Sequence, residues 1–267
     1  MRAGTLAPLI VTRTLMDQDF NPFKLACKNI LVTGASSGIG QAIAVACAKM
    51  GANVYITGRN ELRLQETASA TESTSCVVLP ADLGEAGDVE SLVAALPKLD
   101  GVAHCAGITA RKACRDIEES DLQGMFKTNL FATTLLQAAL LRQRKINKSA
   151  SIVMMASRAA SFPAKGVAVY SATKGALVSY AKCLALELAA RQIRVNCICP
   201  GMVWTPMISE GAVDVSYMEA DQNTYPLKRY GKPEDIAYLA LYLLSDASAW
   251  MTGSCIDISG GGYGVLN

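Results

Sequence analysis

The sequence has little histidine and lacks the short cysteine spacings that are typical of metal sites. Its 267 residues include one histidine, and its nine cysteines are an odd number without any Cys-x-x-C pair. Metal sites usually combine cysteine and histidine at short spacings, and disulfide frameworks use paired cysteines. Cys197 and Cys199 share a face of a predicted strand and could form a metal pair, but ordinary strand packing fits better beside a single histidine. We therefore expect free thiols in a reducing compartment, and a cytoplasmic location.

Net charge and long apolar runs are also scarce. The chain carries 25 Lys and Arg against 23 Asp and Glu, a net charge of +2, and shows no basic stripe interleaved with aromatic residues. This balance argues against a nucleic acid partner. No apolar run reaches the roughly 18 residues that a membrane span needs. Residues 1–15 lack signal-peptide architecture and are expected to be a flexible extension, with residues 16–267 as one domain.

Short apolar runs alternate with helical patterns along the chain. Strands are predicted at 29–33, 53–57, 76–80, 99–105, 151–157, 193–199 and 255–258. Helices are predicted at 41–50, 60–70, 85–96, 118–145, 168–190 and 233–245. Apolar strands between helices are typical of a parallel sheet that is buried on both faces. The predicted fold is a single-domain α/β doubly wound (Rossmann-type) sheet of about seven strands with helices on both faces. Residues 207–223 lack this pattern and are predicted to form a mobile lid over the substrate.

A glycine-rich turn joins the first predicted strand to the first helix. It has the spacing G-x-x-x-G-x-G, and a tight strand-to-helix connection is its plainer interpretation. Glycines also let a backbone approach a phosphate closely, and the next helix directs N–H groups and the positive end of its dipole at the anion. The position after the first strand favours dinucleotide binding. The predicted contacts are Gly34, Ser36, Ser37, Gly38, Ile39 and Gly40.

The ends of the second and third predicted strands bear on the choice of cofactor. An acid after the second strand would bind the adenosine ribose and repel a 2′-phosphate. Gly58 occupies that place and Arg59 follows it. NADP(H) is therefore expected to be preferred over NAD(H), with a solvated surface arginine as the alternative. Asp82, next to Leu83, ends the third strand, where its carboxylate could hold the adenine amino group or cap the next turn.

A tyrosine and a lysine four residues apart indicate proton transfer. Tyr170 and Lys174 share one face of a predicted helix. A tyrosine that titrates near about pH 10 is a poor acid or base at neutral pH, but a neighbouring ammonium is expected to lower its pKa. Ser157 ends the preceding predicted strand, at the edge of the sheet where open α/β folds bind ligands. These three side chains are the predicted catalytic group.

In combination, these motifs resemble the short-chain dehydrogenase/reductase family over about residues 25–262. The resemblance is carried by Thr33-Gly34-Ala-Ser-Ser-Gly38-Ile-Gly40, Asp82, Asn129, Ser157, Tyr170-x-x-x-Lys174 and Pro200-Gly201. It implies that Tyr170 exchanges a proton with the substrate oxygen, that Ser157 hydrogen-bonds this oxygen, and that Lys174 holds the nicotinamide ribose and lowers the tyrosine pKa. It also implies that Asn129 positions a water that relays protons.

The resemblance implies further cofactor contacts, together with two departures from the family pattern. The implied contacts, besides Tyr170 and Lys174, are His104, Ala106, Gly107, Pro200, Gly201, Val203 and Thr205. His104-Cys105-Ala106-Gly107 replaces the usual Asn-Asn-Ala-Gly, and a packed or hydrogen-bonded structural ring is the more plausible role for this histidine than catalysis. Ser259 stands where an aspartate often precedes the final glycine pair.

The segment 225–236 resembles 3-oxoacyl-[acyl-carrier-protein] reductases and many of their relatives. An NADPH-dependent reductase of a small or carrier-bound carbonyl compound is the leading prediction. An alcohol, sterol or sugar dehydrogenase that works in the oxidative direction is the alternative, and a non-catalytic cofactor sensor is disfavoured because all four catalytic positions are filled. A basic patch of Arg111, Lys112 and Arg115 would favour an acidic carrier, although solvated loop charges explain these residues equally well. The resemblance of helices 118–145 and 168–190 to family interfaces implies a homodimer or homotetramer.

Overall fold

One parallel sheet organises the chain in the computed structural model, which describes residues 20–72, 75–209 and 215–262. Within these residues the sheet has seven strands in the order β3-β2-β1-β4-β5-β6-β7, and all neighbours are parallel. The strands are β1 (Asn29–Thr33), β2 (Asn53–Thr57), β3 (Cys76–Val78), β4 (Leu99–His104), β5 (Ile146–Met155), β6 (Arg194–Pro200) and β7 (Cys255–Ile258). The predicted fold class is confirmed, while the predicted extension at 1–15 lies outside the described residues.

Helices alternate with these strands along the sequence. They are α1 (Gly38–Lys49), α2 (Glu61–Ala70), α3 (Ala86–Ala95), α4 (Glu119–Phe126), α5 (Ala132–Arg142), α6 (Ala168–Leu188), α7 (Pro206–Ser209), α8 (Val215–Gln222) and α9 (Pro233–Leu244). In the part of the chain that the structure describes, no helix combines the length and apolar character that a bilayer crossing requires.

Both faces of the sheet are apolar, so both need a layer of helices. On one face Leu31 of β1 belongs to a buried cluster with Leu136 of α5 and with residues of α3 and α6. On the other face the next residue, Val32, belongs to a second cluster with Ile43 of α1 and Leu243 of α9. All five side chains are fully buried. Burial of one such side chain stabilises the fold by roughly 1.5–3 kcal/mol. Because successive side chains of β1 point to opposite faces of the sheet, this gain favours a layer of helices on each face.

The strand order reverses next to β1, and this reversal positions the site. Strand β1 pairs with β2 on one side and with β4 on the other. The connections on the two sides of β1 therefore leave the sheet in opposite directions, which opens a crevice beyond the carboxyl ends of the strands. Thr33, Thr57 and His104 mark those ends, and the glycine turn begins directly after Thr33.

The predicted helix 118–145 is wrong in its continuity. The structure divides it into α4 and α5, joined by the π-helical turn Lys127–Phe131. A π turn inserts one extra residue into the helix, and apolar periodicity barely registers such a local change. The last residues of the predicted helix also belong to other elements, because α5 ends at Arg142 and β5 begins at Ile146.

Strand β5 starts earlier and ends earlier than the prediction of 151–157. It covers Ile146–Met155, and its pairing with β4 is irregular between Leu99 and Gly101. Ser149 has φ +62°, a left-handed conformation that few non-glycine residues adopt. The irregular pairing lets β5 begin in a polar stretch of the sequence. A prediction from apolar runs does not detect such a stretch. Ser157 consequently lies in a turn two residues beyond the strand.

The predicted lid at 207–223 contains regular structure. It includes most of α7 and α8, while residues 210–214 lie outside the described part. Met218 of α8 is fully buried and packs with Met202, Tyr225 and Tyr230. The short helices lack a continuous apolar stripe and are held by tertiary contacts. Apolar periodicity therefore could not predict them.

Candidate active site

A cleft of about 450 Å³ lies at the carboxyl edge of the sheet, where the strand order reverses. It collects nearly all the residues that the sequence predicted for catalysis and cofactor binding, and the two exceptions are Asn129 and His104. The predicted residues that line it are Gly34, Ser36, Ser37, Gly38, Ile39, Gly40, Arg59, Asp82, Leu83, Ala106, Gly107, Ser157, Tyr170, Lys174, Pro200, Gly201, Val203 and Thr205. Motifs that lie far apart in the sequence therefore meet in one cavity.

The glycine turn has a conformation that depends on its glycines. Gly34 has φ +62°, and a Cβ placed on it would lie 2.8 Å from the Cα of Ala106. A Cβ on Gly40 would lie 2.3 Å from the carbonyl oxygen of Gly34, closer than real contacts allow. The turn therefore packs tightly against the loop that follows β4. It leads into α1, which has no acidic residue in its first turn. The N–H groups at that helix end can bind an anion in the cleft.

The ends of β2 and β3 present one cation and one carboxylate to the cleft. Arg59 is exposed where it lines the cavity. Asp82 also lines the cavity, and its Oδ1 accepts the backbone N–H of Gly84 at 2.9 Å. This carboxylate thus caps a turn and borders the cleft at once, so its two predicted roles are compatible.

Tyr170, Ser157 and Lys174 meet at the opposite end of the cleft. Tyr170 and Lys174 lie one turn apart on α6, and the Lys174 Nζ is 5.7 Å from the centroid of the Tyr170 ring. Ser157 lies within hydrogen-bonding reach of Tyr170, and its Oγ accepts the N–H of Ala159 at 3.1 Å. Lys174 is 4% exposed and donates to the carbonyl oxygen of Met155 at 2.7 Å. Each group is thereby held by backbone as well as by the helix.

The pKa of Tyr170 is raised in this structure, whereas the neighbouring Lys174 was expected to lower it. Burial raises the pKa of Tyr170 above its ordinary value, and the hydrogen bond with Ser157 only partly opposes this effect. Burial also lowers the pKa of Lys174 to about 8. The ammonium is hydrogen-bonded to Met155 rather than to the phenol oxygen, so its charge does not overcome the desolvation of the ring. Tyr170 is therefore a protonated phenol at neutral pH.

Asn129 lies behind the catalytic group, in the π turn between α4 and α5. It is fully buried, and its Oδ1 accepts the N–H of Ile108 at 2.8 Å. Its Nδ2 donates to the carbonyl oxygen of Ile108 at 3.0 Å and to the Oγ1 of Thr173 at 3.2 Å. Thr173 in turn donates to the carbonyl oxygen of Tyr170 at 2.7 Å. Asn129 thus connects the loop after β4 to the helical turn that carries Tyr170.

Comparisons with known proteins agree with this geometry. A family model described as "Enoyl-(Acyl carrier protein) reductase" matches residues 34–263. A solved structure described as "short chain dehydrogenase/reductase family protein" is 34% identical, covers 90% of this chain and 99% of its own, and has a TM-score of 0.80. The chain belongs to the short-chain dehydrogenase/reductase family. It is consequently an oxidoreductase whose family binds NAD(P)(H).

Two relatives show how broad this family is. An uncharacterized oxidoreductase of Bacillus subtilis, YhxC, is 35% identical over 263 residues, which cover 95% of this chain and 90% of the relative. The 3-oxoacyl-[acyl-carrier-protein] reductase FabG of Rickettsia felis is 31% identical over 237 residues, which cover 89% of this chain and 97% of the relative. The chain is thus similar to this reductase over almost the whole length of both proteins.

His104 departs from the usual sequence of the family. Its ring does not line the cleft, although the resemblance implied that it contacts the cofactor. The ring is 2% exposed, and its Nε2 lies 2.9 Å from the Oε1 of Gln137 on α5. Burial lowers the pKa of His104 to about 4, so the ring is neutral at physiological pH. The neighbouring backbone is supported instead by Thr33, whose Oγ1 accepts the N–H groups of Cys105 and Ala106 at 3.0 and 3.2 Å.

Sequence reasoning missed several residues of the cleft in this family member. Most are direct neighbours of motif residues, and adjacency to a motif is the signal that could have found them. They are Ala81, Gly84, Cys105, Ile108, Lys127, Thr128, Ala132, Met155, Ala156, Met207 and Ile208. Lys127 adds a second cation beside Asp82, and its Nζ forms an ion pair with Glu85 at 2.9 Å. Met207 and Ile208 place part of the predicted lid segment on the cavity wall.

Proposed function

We propose that this protein is an NADP(H)-dependent carbonyl reductase with a Ser-Tyr-Lys-Asn site, most similar in function to 3-oxoacyl-[acyl-carrier-protein] reductases. The observation that carries the proposal is the position of Tyr170. Its hydroxyl lies in the cleft within hydrogen-bonding reach of Ser157, beside a lysine that is buried and still hydrogen-bonded. A protonated phenol in this environment is suited to protonate a carbonyl oxygen.

The residues present fit a dinucleotide. The tight turn at Gly34 and Gly40 and the free end of α1 suit a pyrophosphate, and the rest of the cleft is long enough to extend from Asp82 to Tyr170. Gly58 and Arg59 support a preference for NADP(H), because the cleft offers a guanidinium where a carboxylate would exclude a 2′-phosphate. Pro200, Gly201, Val203 and Thr205 would hold the nicotinamide end.

The proposed reaction divides labour among four side chains. The bound cofactor supplies the hydride. Ser157 donates a hydrogen bond to the substrate oxygen and keeps it next to Tyr170, which gives that oxygen its hydroxyl proton. Lys174 contributes positive charge beside the phenolate that remains. Asn129 would position a water that relays protons. A Cβ on Gly107 would lie 3.2 Å from Asn129 Oδ1 and 3.5 Å from Lys174 Nζ, so a side chain at this position would crowd both groups.

The protonation of Tyr170 favours reduction over oxidation at neutral pH. In the oxidative direction the tyrosine has to accept a proton, and a raised pKa keeps most of it in the wrong form for that step. An alcohol, sterol or sugar dehydrogenase with the same residues would therefore work best in alkaline solution. The reductive direction is accordingly our proposal.

The loop charges give little support for a docking site that is specific for an acidic carrier. Lys112 is paired with Asp121 at 2.7 Å and lies 3.7 Å from Glu118. Arg115 lies 3.7 Å from Asp116. Acidic neighbours thus partly neutralise two of the three residues of the predicted basic patch. The substrate is therefore proposed only as a small or carrier-bound carbonyl compound.

The assembly and location are proposed by analogy with the family. Large apolar side chains are exposed on the two predicted interface helices: Phe131 is 50%, Leu135 58% and Leu186 81% exposed. These residues would be covered in a homodimer or homotetramer, since exposed apolar groups of this size suit an interface. All nine cysteines lie in the described part of the chain and are free thiols, which supports the cytoplasm as the location.

The pH dependence of reduction is expected to report on Lys174. We expect kcat/KM to stay level up to about pH 8 and to fall above it, because the lowered pKa of Lys174 means that its positive charge is lost there. Tyr170, with its raised pKa, stays protonated over this range. The measurement is kcat/KM from about pH 6 to about pH 10. A profile that declines around pH 6 would contradict this assignment.

A substrate panel tests the proposed function directly. Purified protein is incubated with NADPH and with β-ketoacyl thioesters, quinones, ketosteroids and keto sugars, and NADPH consumption is followed by absorbance. We expect turnover with at least one carbonyl class and slower turnover when NADH replaces NADPH. If every class fails while corresponding alcohols are oxidised at neutral pH, the reductive proposal is wrong.

A further inference from the structure

A buried arginine directly follows Ser157, and the proposed reaction does not use it. Arg158 is 9% exposed although it is charged. It begins the short 3-10 turn Arg158–Ala160, which is capped when Ser157 Oγ accepts the N–H of Ala159. A buried guanidinium costs free energy unless it is paired and hydrogen-bonded, so its partners indicate what the residue holds in place.

The partners of Arg158 lie on and just beyond the last strand of the sheet. Its Nη1 donates to Asp257 Oδ2 at 3.0 Å and to Ser259 Oγ at 3.5 Å. Its guanidinium carbon also lies 4.5 Å from the centroid of the Phe162 ring. The side chain therefore connects the turn that carries Ser157 to β7 and to the residue that follows it.

The end of β7 is itself part of the support for the cleft. Gly201, which lines the cleft, donates its N–H to the carbonyl oxygen of Ile258 at 2.9 Å. A Cβ on Gly201 would lie 2.9 Å from the Cβ of Ser259, so the two backbones are in close contact. Arg158 thus joins two walls of the same cleft, one at Ser157 and one at Gly201.

The sequence departure noted at Ser259 agrees with this connection. Ser259 replaces an aspartate that is common at this place in the family, and Asp257, two residues earlier, supplies the carboxylate that Arg158 contacts. We infer that Arg158 is a positioning residue of the reaction: through Asp257 and Ser259 it fixes the Ser157 turn against the cleft wall at Gly201. The inference rests on the proposed function, because it assumes that Ser157 acts on the substrate oxygen.

The exposure of the two partners determines which variants are informative. The side chain of Asp257 is 47% exposed, whereas that of Arg158 is 10% exposed. Removal of Arg158 leaves a carboxylate that water can solvate, so Arg158→Met is expected to fold. Asp257→Asn removes the charge but keeps an oxygen that can accept a hydrogen bond, and Arg158→Lys keeps the charge but loses the fork of donors.

Arg194 provides a matched control. It is also 9% exposed, and its Nη1 and Nη2 donate to Ser248 Oγ at 2.6 Å and to the carbonyl oxygen of Ser245 at 3.0 Å. It begins β6, at the opposite end of the sheet from the cleft. Arg194→Met therefore removes an equally buried guanidinium without touching either wall of the cleft.

The first experiment measures kcat and KM with NADPH and the best carbonyl substrate, the Kd of NADPH by fluorescence, and Tm. We expect kcat to fall roughly tenfold to a hundredfold in Arg158→Met and Asp257→Asn, since small misplacements of a reacting group are costly. The Kd of NADPH is expected to change by no more than about twofold, and Arg158→Lys to recover part of the rate. Arg194→Met is expected to lower Tm with kcat unchanged. An unchanged kcat in Arg158→Met overturns the inference.

The second experiment asks whether Arg158 acts through Ser157. In a Ser157→Ala background, Arg158→Met is expected to change kcat by less than about twofold, because the hydroxyl that it positions is already absent. Equal losses in both backgrounds would show a general structural role and overturn the inference. If Arg158→Met does not fold, Asp257→Asn and Arg158→Lys are combined with Ser157→Ala in the same way. Failure of the unmodified protein on every carbonyl substrate overturns the proposed function as well, whereas active protein with additive losses overturns this inference alone.

Discussion

Tyr170→Phe is expected to reduce turnover by at least about 10²- to 10⁴-fold, the loss typical of a general acid or base. The substitution removes one oxygen and keeps the ring, its packing and the helix. Ser157 can still hydrogen-bond the substrate oxygen, but α6 no longer carries a hydroxyl that can give this oxygen a proton. The fold and the affinity for NADPH are expected to survive, because the glycine turn and the residues proposed to hold the nicotinamide are unchanged. Turnover on the best substrate and NADPH binding by fluorescence measure the two effects.

Tyr180→Phe is the control for this experiment. Tyr180 lies on the same helix and packs against the apolar core, but it does not line the cleft. It should therefore lose the same oxygen with little change in turnover. The pair of variants separates loss of the reacting proton from a general effect of removing a hydroxyl from α6. A Tyr170→Phe protein that binds NADPH and retains near-normal turnover would refute the proposed mechanism.

A substitution at the end of β2 is expected to reverse the cofactor preference. Gly58→Asp combined with Arg59→Ala places a carboxylate where a 2′-phosphate would lie and removes the guanidinium. Breaking a charge pair at a desolvated site costs roughly 2–5 kcal/mol. Because Arg59 is exposed, we expect an effect at or below the lower end of this range, a change of up to roughly 30-fold in the ratio of kcat/KM for NADPH and NADH. The measurement is that ratio with one carbonyl substrate.

The structure has room for this change, and the chain offers a control. A Cβ on Gly58 would lie 3.5 Å from Ser36 Oγ and 3.7 Å from Leu64 Cδ2, which are ordinary contacts. Arg63→Ala removes the same charge from α2 at an exposed position that does not line the cleft, so it should leave the ratio nearly unchanged. Equal efficiency of NADH and NADPH in the unmodified protein would show that the assignment to Gly58 and Arg59 is wrong.

The predictability of the catalytic group differed from residue to residue. The positions of Tyr170, Lys174 and Ser157 in one cleft could be predicted, because helical spacing and the edge of a parallel sheet are properties of local sequence. The pKa of Tyr170 could not be predicted. Its direction depends on how deeply the ring is buried and on the carbonyl oxygen of Met155, which takes the hydrogen bond of Lys174. Both are results of packing.

The sequence by itself determined the sheet, its two covering layers and the place of the cleft. Apolar runs that alternate with amphipathic stretches specify a parallel sheet buried on both faces, and glycines after the first strand specify where a phosphate can approach. Only the tertiary structure decided the π turn at Asn129, the buried pairing of His104 with Gln137 and the connection from Arg158 to Asp257. The π turn adds a single residue to a helical turn. The other two features join residues that are distant in the sequence. Periodicity reports which face of an element is buried, but it carries no information about which partner that face meets.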